Sequence, residues 1–428
     1  MLRRLRSPIG RHVLVDGLLR RAWPVLRPAA ALYRRTLLRR TRVIVVVGSF
    51  GKGSTAGAVA RALGLPGRPT WRNTTSRVAL SLLGVPPGRR HAVIEVGAPR
   101  RGQMRLYPPV LRPDVVVVTT IGSEHHRSLG TLDQAAQEKG QMLRGLTRAG
   151  IAVLNGDDPR VRAMAALTEA RIVTFGYAAG CEVRAVERSV DWPHGTRLVV
   201  AVGEQVCVLR LRLIGRVAMY PILAALAVAW AEGRPLADAV AALQTLEPVP
   251  GRLQLVPLPG DAWLIRDDFK GTLETIEAAL DVLAETPGRR IAVLGEIEDP
   301  PGSQSPLFRA VGRRLAASAD LALLVGGRKS VKSYGGGAVE AGMPRAALRR
   351  LGRSCGATAA AVRAELRPGD VVLVKGRGTQ RLERISLALQ GRTVRCDIEF
   401  CNLRGLRCDD CPALATGWTD DPRLVLGR

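Results

Sequence analysis

The residues from Val43 to Thr55, VIVVVGSFGKGST, concentrate groups suited to one kind of chemistry, the holding of a phosphate chain. Gly48, Gly51 and Gly53, with Ser49 among them, let successive backbone N–H groups wrap an anion. The helix that starts there turns its positive end toward the same point, and Lys52 adds a compact ammonium for the outer phosphates. Ser54 or Thr55 supplies a hydroxyl for Mg2+. The general P-loop pattern places a glycine at position 46, where this chain has Val46, so the match is to a shorter G-x-x-G-K form. An ordinary glycine-rich strand-to-helix turn is the structural alternative. The coincidence of strand, turn, lysine and hydroxyls in one stretch weighs against it.

Further candidates sit where apolar runs end. HAVIEVGAP closes a strand on Glu95, and RPDVVVVTTIGSEHH runs a buried strand into His125 and His126. TLDQAAQEKGQMLRGL reads as a helix carrying Lys139, and IAVLNGDDP ends a strand on Asn155, Asp157 and Asp158. NTTSRVALSLLG adds a hydroxyl-rich loop with Thr74, Thr75 and Ser76. Strands that end in polar residues and alternate with helices predict a parallel sheet whose site lies at the strands' carboxyl ends. From Val256 to Val374 the same alternation predicts a second, Rossmann-like α/β unit, with a hinge at the proline and glycine of 248–251. The expected division is a basic arm over 1–42, an α/β P-loop domain over 43–248, a second α/β domain over 249–392 and a cysteine-containing tail over 393–428.

Composition narrows the class. The chain has 428 residues and a net charge of +27, carried by arginines spread along its length rather than gathered in a patch. No aromatic-interleaved nucleic-acid motif accompanies them, so specific nucleic-acid binding is not expected. Lysine is rare, at 52, 139, 270, 329, 332 and 375. Where arginine serves as the general cation, a lysine marks a place that needs a compact ammonium or a carbamate former. Seven cysteines do not form a secreted disulfide framework, so a cytoplasmic protein is expected. Four of them, Cys396, Cys401, Cys408 and Cys411, have the spacing C-x4-C-x6-C-x2-C, which could hold Zn2+; reduced thiols are the alternative. Residues 1–42 hold twelve arginines and one acid, Asp16. They read either as amphipathic helices on the inner, anionic membrane face through Trp23, Leu26, Leu32 and Tyr33, or as a helical arm packed on the next domain.

The order G-S-F-G-K-G-S, I-E-V-G-A, R-P-D-V-V-V-V-T-T-I-G-S-E-H, E-K-G-Q-M-L and L-N-G-D-D-P resembles the Mur ligase family. It is most similar to the branch that adds D-alanyl-D-alanine to a muramyl tripeptide. V-P-G-R-L, L-I-R-D-D, R-I-A-V-L-G-E and G-D-V-V-L-V-K-G-R extend the resemblance over residues 43–390, and G-K-G-S-T is also similar to the related folylpolyglutamate synthases. The resemblance implies an ATP- and Mg2+-dependent amide ligase that phosphorylates a carboxylate, after which an amine displaces phosphate from the acyl phosphate. It implies that Lys52 grips phosphate, that Ser54, Glu95 and His125 hold Mg2+, and that Lys139 is carbamylated. Arg252, Asp268 and Asn155 are implied on the nucleotide, and Lys375 and Arg377 near the incoming amino acid or dipeptide. The second domain is implied to close over the nucleotide.

Three departures modify that picture. Such ligases carry a domain ahead of the P-loop that holds a UDP-sugar, whereas only the basic arm precedes it here, so a different hold on the acceptor is expected. The family's G-x-H-N-x-x-N is G-R-V-A-M-Y-P at 215–221, which changes the adenine contacts. Its D-D-S-Y-N-A-N loop is D-D-F-K-G-T, with Lys270 in place of amides. A nucleotide-binding scaffold without catalysis is the non-enzymatic alternative.

Overall fold

The computed structural model describes residues 7–66, 73, 75–403 and 405–418, which divide into two compact units. The P-loop unit comprises Asp16–Arg212 and Arg216–Glu247; the second unit comprises the described residues of Met1–Val15, Leu213–Gly215 and Pro248–Arg428.

The P-loop unit is built on an eight-stranded sheet. Its strands are β1 (Arg42–Val47), β2 (His91–Glu95), β3 (Val115–Val118), β4 (Ile151–Asn155), β5 (Arg171–Gly176), β6 (Val183–Asp191), β7 (Gly195–Val202) and β8 (Gln205–Leu211). Their spatial order is β2-β1-β3-β4-β5-β6-β7-β8, parallel from β2 through to β6, with an antiparallel meander of β6, β7 and β8 at one side. β1 and β3 are runs of β-branched residues buried on both faces, as a central parallel strand requires. Because β1 is flanked by β2 and β3, the carboxyl ends of three adjacent strands open on one edge. Val46 lies in register with Glu95, and Val47 with Val118.

Counting helices of seven residues or more, α1 is Pro8–Arg21, α2 Trp23–Arg35, α3 Lys52–Ala62, α4 Ser76–Leu83, α5 Leu132–Gly140, α6 Tyr220–Ala231 and α7 Leu236–Gln244. α6 is apolar all round and nearly wholly buried, and it packs on α3, which follows the P-loop. α2 packs on α4 and completes the core of this unit. Ala30 and the nearby Leu38 are fully buried there, and Trp23, Leu26 and Tyr33 pack against them. Three of the four residues expected to face a membrane therefore face the protein instead. Tyr33 Oη donates to Val85 O at 2.8 Å, and only Leu32 points outward, 63% exposed. Buried Arg34 fixes the arm further. Its guanidinium reaches Leu111 O, Arg112 O and Asp114 Oδ2 at 2.9–3.0 Å, and Asp114 also accepts from Val43 N at the start of β1.

The second unit has a six-stranded sheet made of β9 (Gln254–Leu258), β10 (Ala262–Asp267), β11 (Arg290–Leu294), β12 (Leu321–Val325), β13 (Leu348–Leu351) and β14 (Val371–Lys375). The order is β13-β12-β11-β14-β10-β9, parallel except for β9. Its helices are α8 (Leu273–Ala284), α9 (Gln304–Ser318), α10 (Arg328–Glu340), α11 (Cys355–Glu365) and α12 (Glu383–Leu389). Beyond α12 the tail folds onto this unit. Ile9 and Val13 of α1 pack with Ile398, Leu403, Leu406, Ala413 and Trp418 in a small separate core.

Candidate active site

β1 delivers the glycine turn to the open edge of the sheet. Gly48 has φ +142 and Gly51 φ +74, and a Cβ on Gly48 would run into Thr119 Oγ1 after β3, so the path of the turn needs glycine. Gly53 offers its N–H from the helix rather than from the turn. The helix already begins at Lys52, so Gly53 is the second residue of α3 and is buried there. Its backbone is helical, a conformation open to any residue, and its N–H belongs to the helix's first turn. The loop after β3 braces the turn. Ser49 N donates to Thr120 O at 2.7 Å, Gly122 N donates to Ser49 Oγ at 2.9 Å, and Thr119 Oγ1 donates to Phe50 O at 2.6 Å. Gly51 caps α3 without a side-chain hydrogen bond, so the helix's first N–H groups, that of Gly53 among them, remain available for an anion. Lys52 is buried. Its Nζ donates to Ser49 O at 2.8 Å and to Glu124 Oε2 at 3.0 Å, a pair whose side chains are each 9% exposed. Of the two hydroxyls, Ser54 is half-buried, whereas Thr55 is 1% exposed and packed under the turn. These donors fit a polyphosphate: a lysine held in place, a helix start without a side-chain cap and a turn that excludes side chains.

Glu95 ends β2 beside the turn and accepts from Asn73 Nδ2 at 2.6 Å. His125 adopts a left-handed backbone, φ +61; its Nε2 lies 3.5 Å from Glu124 Oε1, and its side chain is 42% exposed. Glu95 thus ends the strand on one side of β1 and His125 stands in the loop beyond the strand on its other side; the carboxylate is a ligand that suits a hard divalent cation together with phosphate oxygens. Lys139 lies on α5, whose start is fixed by a capping box between Thr131 and Gln134. The lysine is 2% exposed, so it is not a solvated surface residue. Its neighbour Glu138 accepts from Gly102 N and Met104 N, both at 2.7 Å. Asn155 spends its amide on structure, with Nδ2 donating to Thr119 O at 2.8 Å and Oδ1 accepting from Asp157 N at 3.0 Å. Thr74 lies outside the described residues.

In the second unit Arg252 stacks over the Phe269 ring at 4.5 Å, and Arg407 from the tail approaches the same ring at 5.3 Å. Asp268 is 1% exposed. Arg266 Nε donates to it at 3.2 Å, and the same guanidinium reaches Asp409 Oδ1 at 2.9 Å and Oδ2 at 3.2 Å. Lys375 is buried and donates to Asp267 Oδ2 at 2.5 Å. Burial drives the lysine's pKa down and the aspartate's up, while their mutual attraction opposes both shifts. Arg377 lies 3.6 Å from Glu296 Oε2 and 4.9 Å from the Phe400 ring.

Sequence reasoning passed over Glu124, Asn73, Arg266, Asp409 and Arg407. Glu124 adjoins His125, and Arg266 stands inside the L-I-R-D-D motif, so both carried a local signal. Asn73 and the two tail residues carried none.

The tail cysteines lend the zinc expectation no support. Among the described residues no group of three or more His, Cys, Asp or Glu side chains stands where it could hold a metal ion, and all seven cysteines are outside disulfides. Two guanidinium groups hold the segment around Cys396 and Cys401. Arg384 Nη1 donates to Cys396 O at 3.0 Å and lies 3.9 Å from Cys396 Sγ, and Arg381 donates to the carbonyls of Cys401, Leu403 and Leu406. Burial pushes the Cys408 thiol well above its ordinary range, with Glu383 adding to the shift, and burial raises Cys411 as well. Fixed guanidinium cations beside these cysteines oppose a dication.

The Mur ligase middle domain family matches residues 46–229, and the Mur ligase glutamate ligase domain family matches residues 251–378. The UDP-N-acetylmuramoyl-tripeptide–D-alanyl-D-alanine ligase of Escherichia coli is 28% identical over 356 residues, which cover 82% of this chain and 77% of the relative. Crystal structure I of MurF from Acinetobacter baumannii superposes with a TM-score of 0.76 at 22% identity, covering 86% of this chain and 81% of that one. MurF from Thermotoga maritima in complex with ADP superposes at 0.75 and 21% identity, covering 86% and 84%. Two family domains matched in order, on the α/β fold that those structures share, establish that the chain belongs to the Mur ligase family of ATP-dependent amide-bond ligases.

Proposed function

We propose that this ligase uses MgATP to activate a carboxylate as an acyl phosphate, which the amine of an amino acid or dipeptide then attacks, in the assembly of wall peptide in the cytoplasm. The observation that supports this reading is the glycine turn after β1 with buried Lys52 held against Glu124, next to a strand that ends in Glu95. Bound MgATP supplies the phosphoryl group; the chain's residues hold and orient it. Lys52 exchanges Glu124 for phosphate oxygens, and the Ser54 hydroxyl, Glu95 and His125 would hold Mg2+. Lys139 is proposed as a carbamate, which turns a buried cation into an anion able to support the metal. Arg252 and Asp268 are proposed on the nucleotide and Arg377 beside the incoming amine. Lys375, turned inward to Asp267, is proposed to position the segment that carries it. The functional halves are proposed as 43–248 and 249–392.

The relative from Escherichia coli is named for UDP-N-acetylmuramoyl-tripeptide and D-alanyl-D-alanine, which makes that pair the first to test. Glutamate is the second amine, on the strength of G-K-G-S-T and the glutamate ligase domain. Phosphate release from ATP, assayed over a panel of UDP-linked and free peptide carboxylates against these amines, is the deciding measurement. Release that needs both substrates and is lost in Lys52→Ala is expected. Nucleotide binding without release in any pairing would leave the scaffold reading instead.

A further inference from the structure

Helix α2 carries two apolar faces, and the fold covers one. Trp23, Leu26, Ala30 and Tyr33 turn inward. On a surface helix the opposite side is ordinarily polar. Here that side presents Val25, at 73% the most exposed large apolar side chain among the described residues, and Leu32 at 63%, with exposed Pro28 and Ala29 between them. Positions 25, 28 or 29, and 32 follow one line down a helix. Four residues before Val25 and three after Leu32, exposed Arg21 and Arg35 close the line at its two ends. Leu18 and Leu37, 63% and 58% exposed, continue the apolar character beyond the helix.

The charge around this face has one sign. Arg20, Arg21, Arg27, Arg35, Arg39 and Arg40 are exposed, and the one acid in residues 7–42, Asp16, is already engaged by Arg20 at 2.5 Å and Arg77 at 2.6 Å. A polyanion such as nucleic acid would reward the arginines but leave the aliphatic line in water. An anionic bilayer satisfies both: side chains of the Val25–Leu32 line enter the boundary between headgroups and acyl chains, while the long arginine stems keep their guanidinium groups at the phosphates.

We propose that the outward face of α2 docks the protein, lying flat, on an anionic lipid surface. No helix among the described residues is long and apolar enough to cross a membrane, so the contact is peripheral.

The test is flotation of the full chain with phosphatidylcholine vesicles, with and without phosphatidylglycerol. Association with the phosphatidylglycerol vesicles alone is expected, weakening steeply with salt. The double variant Val25→Glu, Leu32→Glu should lose binding by at least about tenfold, and Arg21→Gln, Arg35→Gln should weaken it at low salt. Neither pair should shift the melting temperature, since these side chains project into solvent. Indifference to phosphatidylglycerol would overturn the proposal, as would full binding by the Val25→Glu, Leu32→Glu variant. Tighter association with duplex DNA or polyglutamate than with vesicles, insensitive to the aliphatic substitutions, would overturn it too.

Discussion

Lys139 separates the ligase reading from a generic ATP site, because phosphate binding alone gives no reason for a lysine 2% exposed on α5. If it works as a carbamate, Lys139→Ala should lower phosphate release by roughly two orders of magnitude, the scale on which one electrostatic contributor to a closed site is felt. Added formate or acetate should restore part of the rate by supplying the missing anion. Lys139→Arg should stay inactive, since a guanidinium keeps the positive charge and forms no carbamate. An alanine variant as active as the parent would remove the carbamate. Which of these groups were legible in the sequence follows from how local their setting is. Glu95 ends an apolar strand, and Lys52 and His125 follow one within a few residues, so each is visible with its strand in one window of residues. Glu124 and Asn73 act across the fold: Lys52 meets a partner 72 positions on, and Glu95 one 22 positions back, and no local pattern announces such pairs.

At the scale of elements, a single clip joins the start of β1, the start of β2 and the end of α6. Glu232, which follows the last residue of α6, accepts from Arg42 Nε and Nη2 at 2.6 Å each and lies 3.1 Å from His91 Nε2. Burial alone would raise this carboxyl, but the hydrogen bonds from His91 and Arg42 outweigh it and bring the pKa down from 4.5 to about 2. The folded state then binds fewer protons than the unfolded state across that interval. The stabilisation is complete above pH 4.5 and is lost as the pH falls toward about 2. The drop corresponds to an upper limit of roughly 3 kcal/mol, reduced by the solvent that reaches Arg42. Glu232→Gln should therefore cost about 2 kcal/mol at neutral pH in urea unfolding and flatten the acid limb between these values. An unchanged acid limb would assign that limb to other carboxylates. Elements were otherwise read unevenly from sequence. The parallel strands and the helices between them stood out through their apolar runs. The β6–β8 meander did not, because its strands mix buried and exposed positions and lack one continuous run. For α2 the helical period was visible, but a helix with two apolar faces does not reveal which one the protein covers.

At the scale of the whole molecule, each unit has a hydrophobic centre of its own, one around β1, β3 and β4 and the other around β11, β12 and β14. Separate cores predict separate melting transitions, since all-or-none unfolding belongs to a core and not to a chain. Each transition can be identified by a substitution confined to its unit. Glu232→Gln should lower the transition of the P-loop unit. Asp409→Ala should lower that of the second unit, because it leaves the Arg266 guanidinium, with a side chain 4% exposed, without the partner that binds it twice. With the transitions so labelled, MgADP at about a hundred times its dissociation constant should stabilise the P-loop unit by about 2.7 kcal/mol, and Lys52→Ala should abolish the effect. If the second unit also closes on the nucleotide through Arg252 and Asp268, its transition should rise as well and merge toward the first. An Arg252→Ala variant should then return it to its nucleotide-free position while the P-loop transition stays raised. A rise of both transitions that survives Lys52→Ala would place the nucleotide outside the glycine turn and reject the site as drawn.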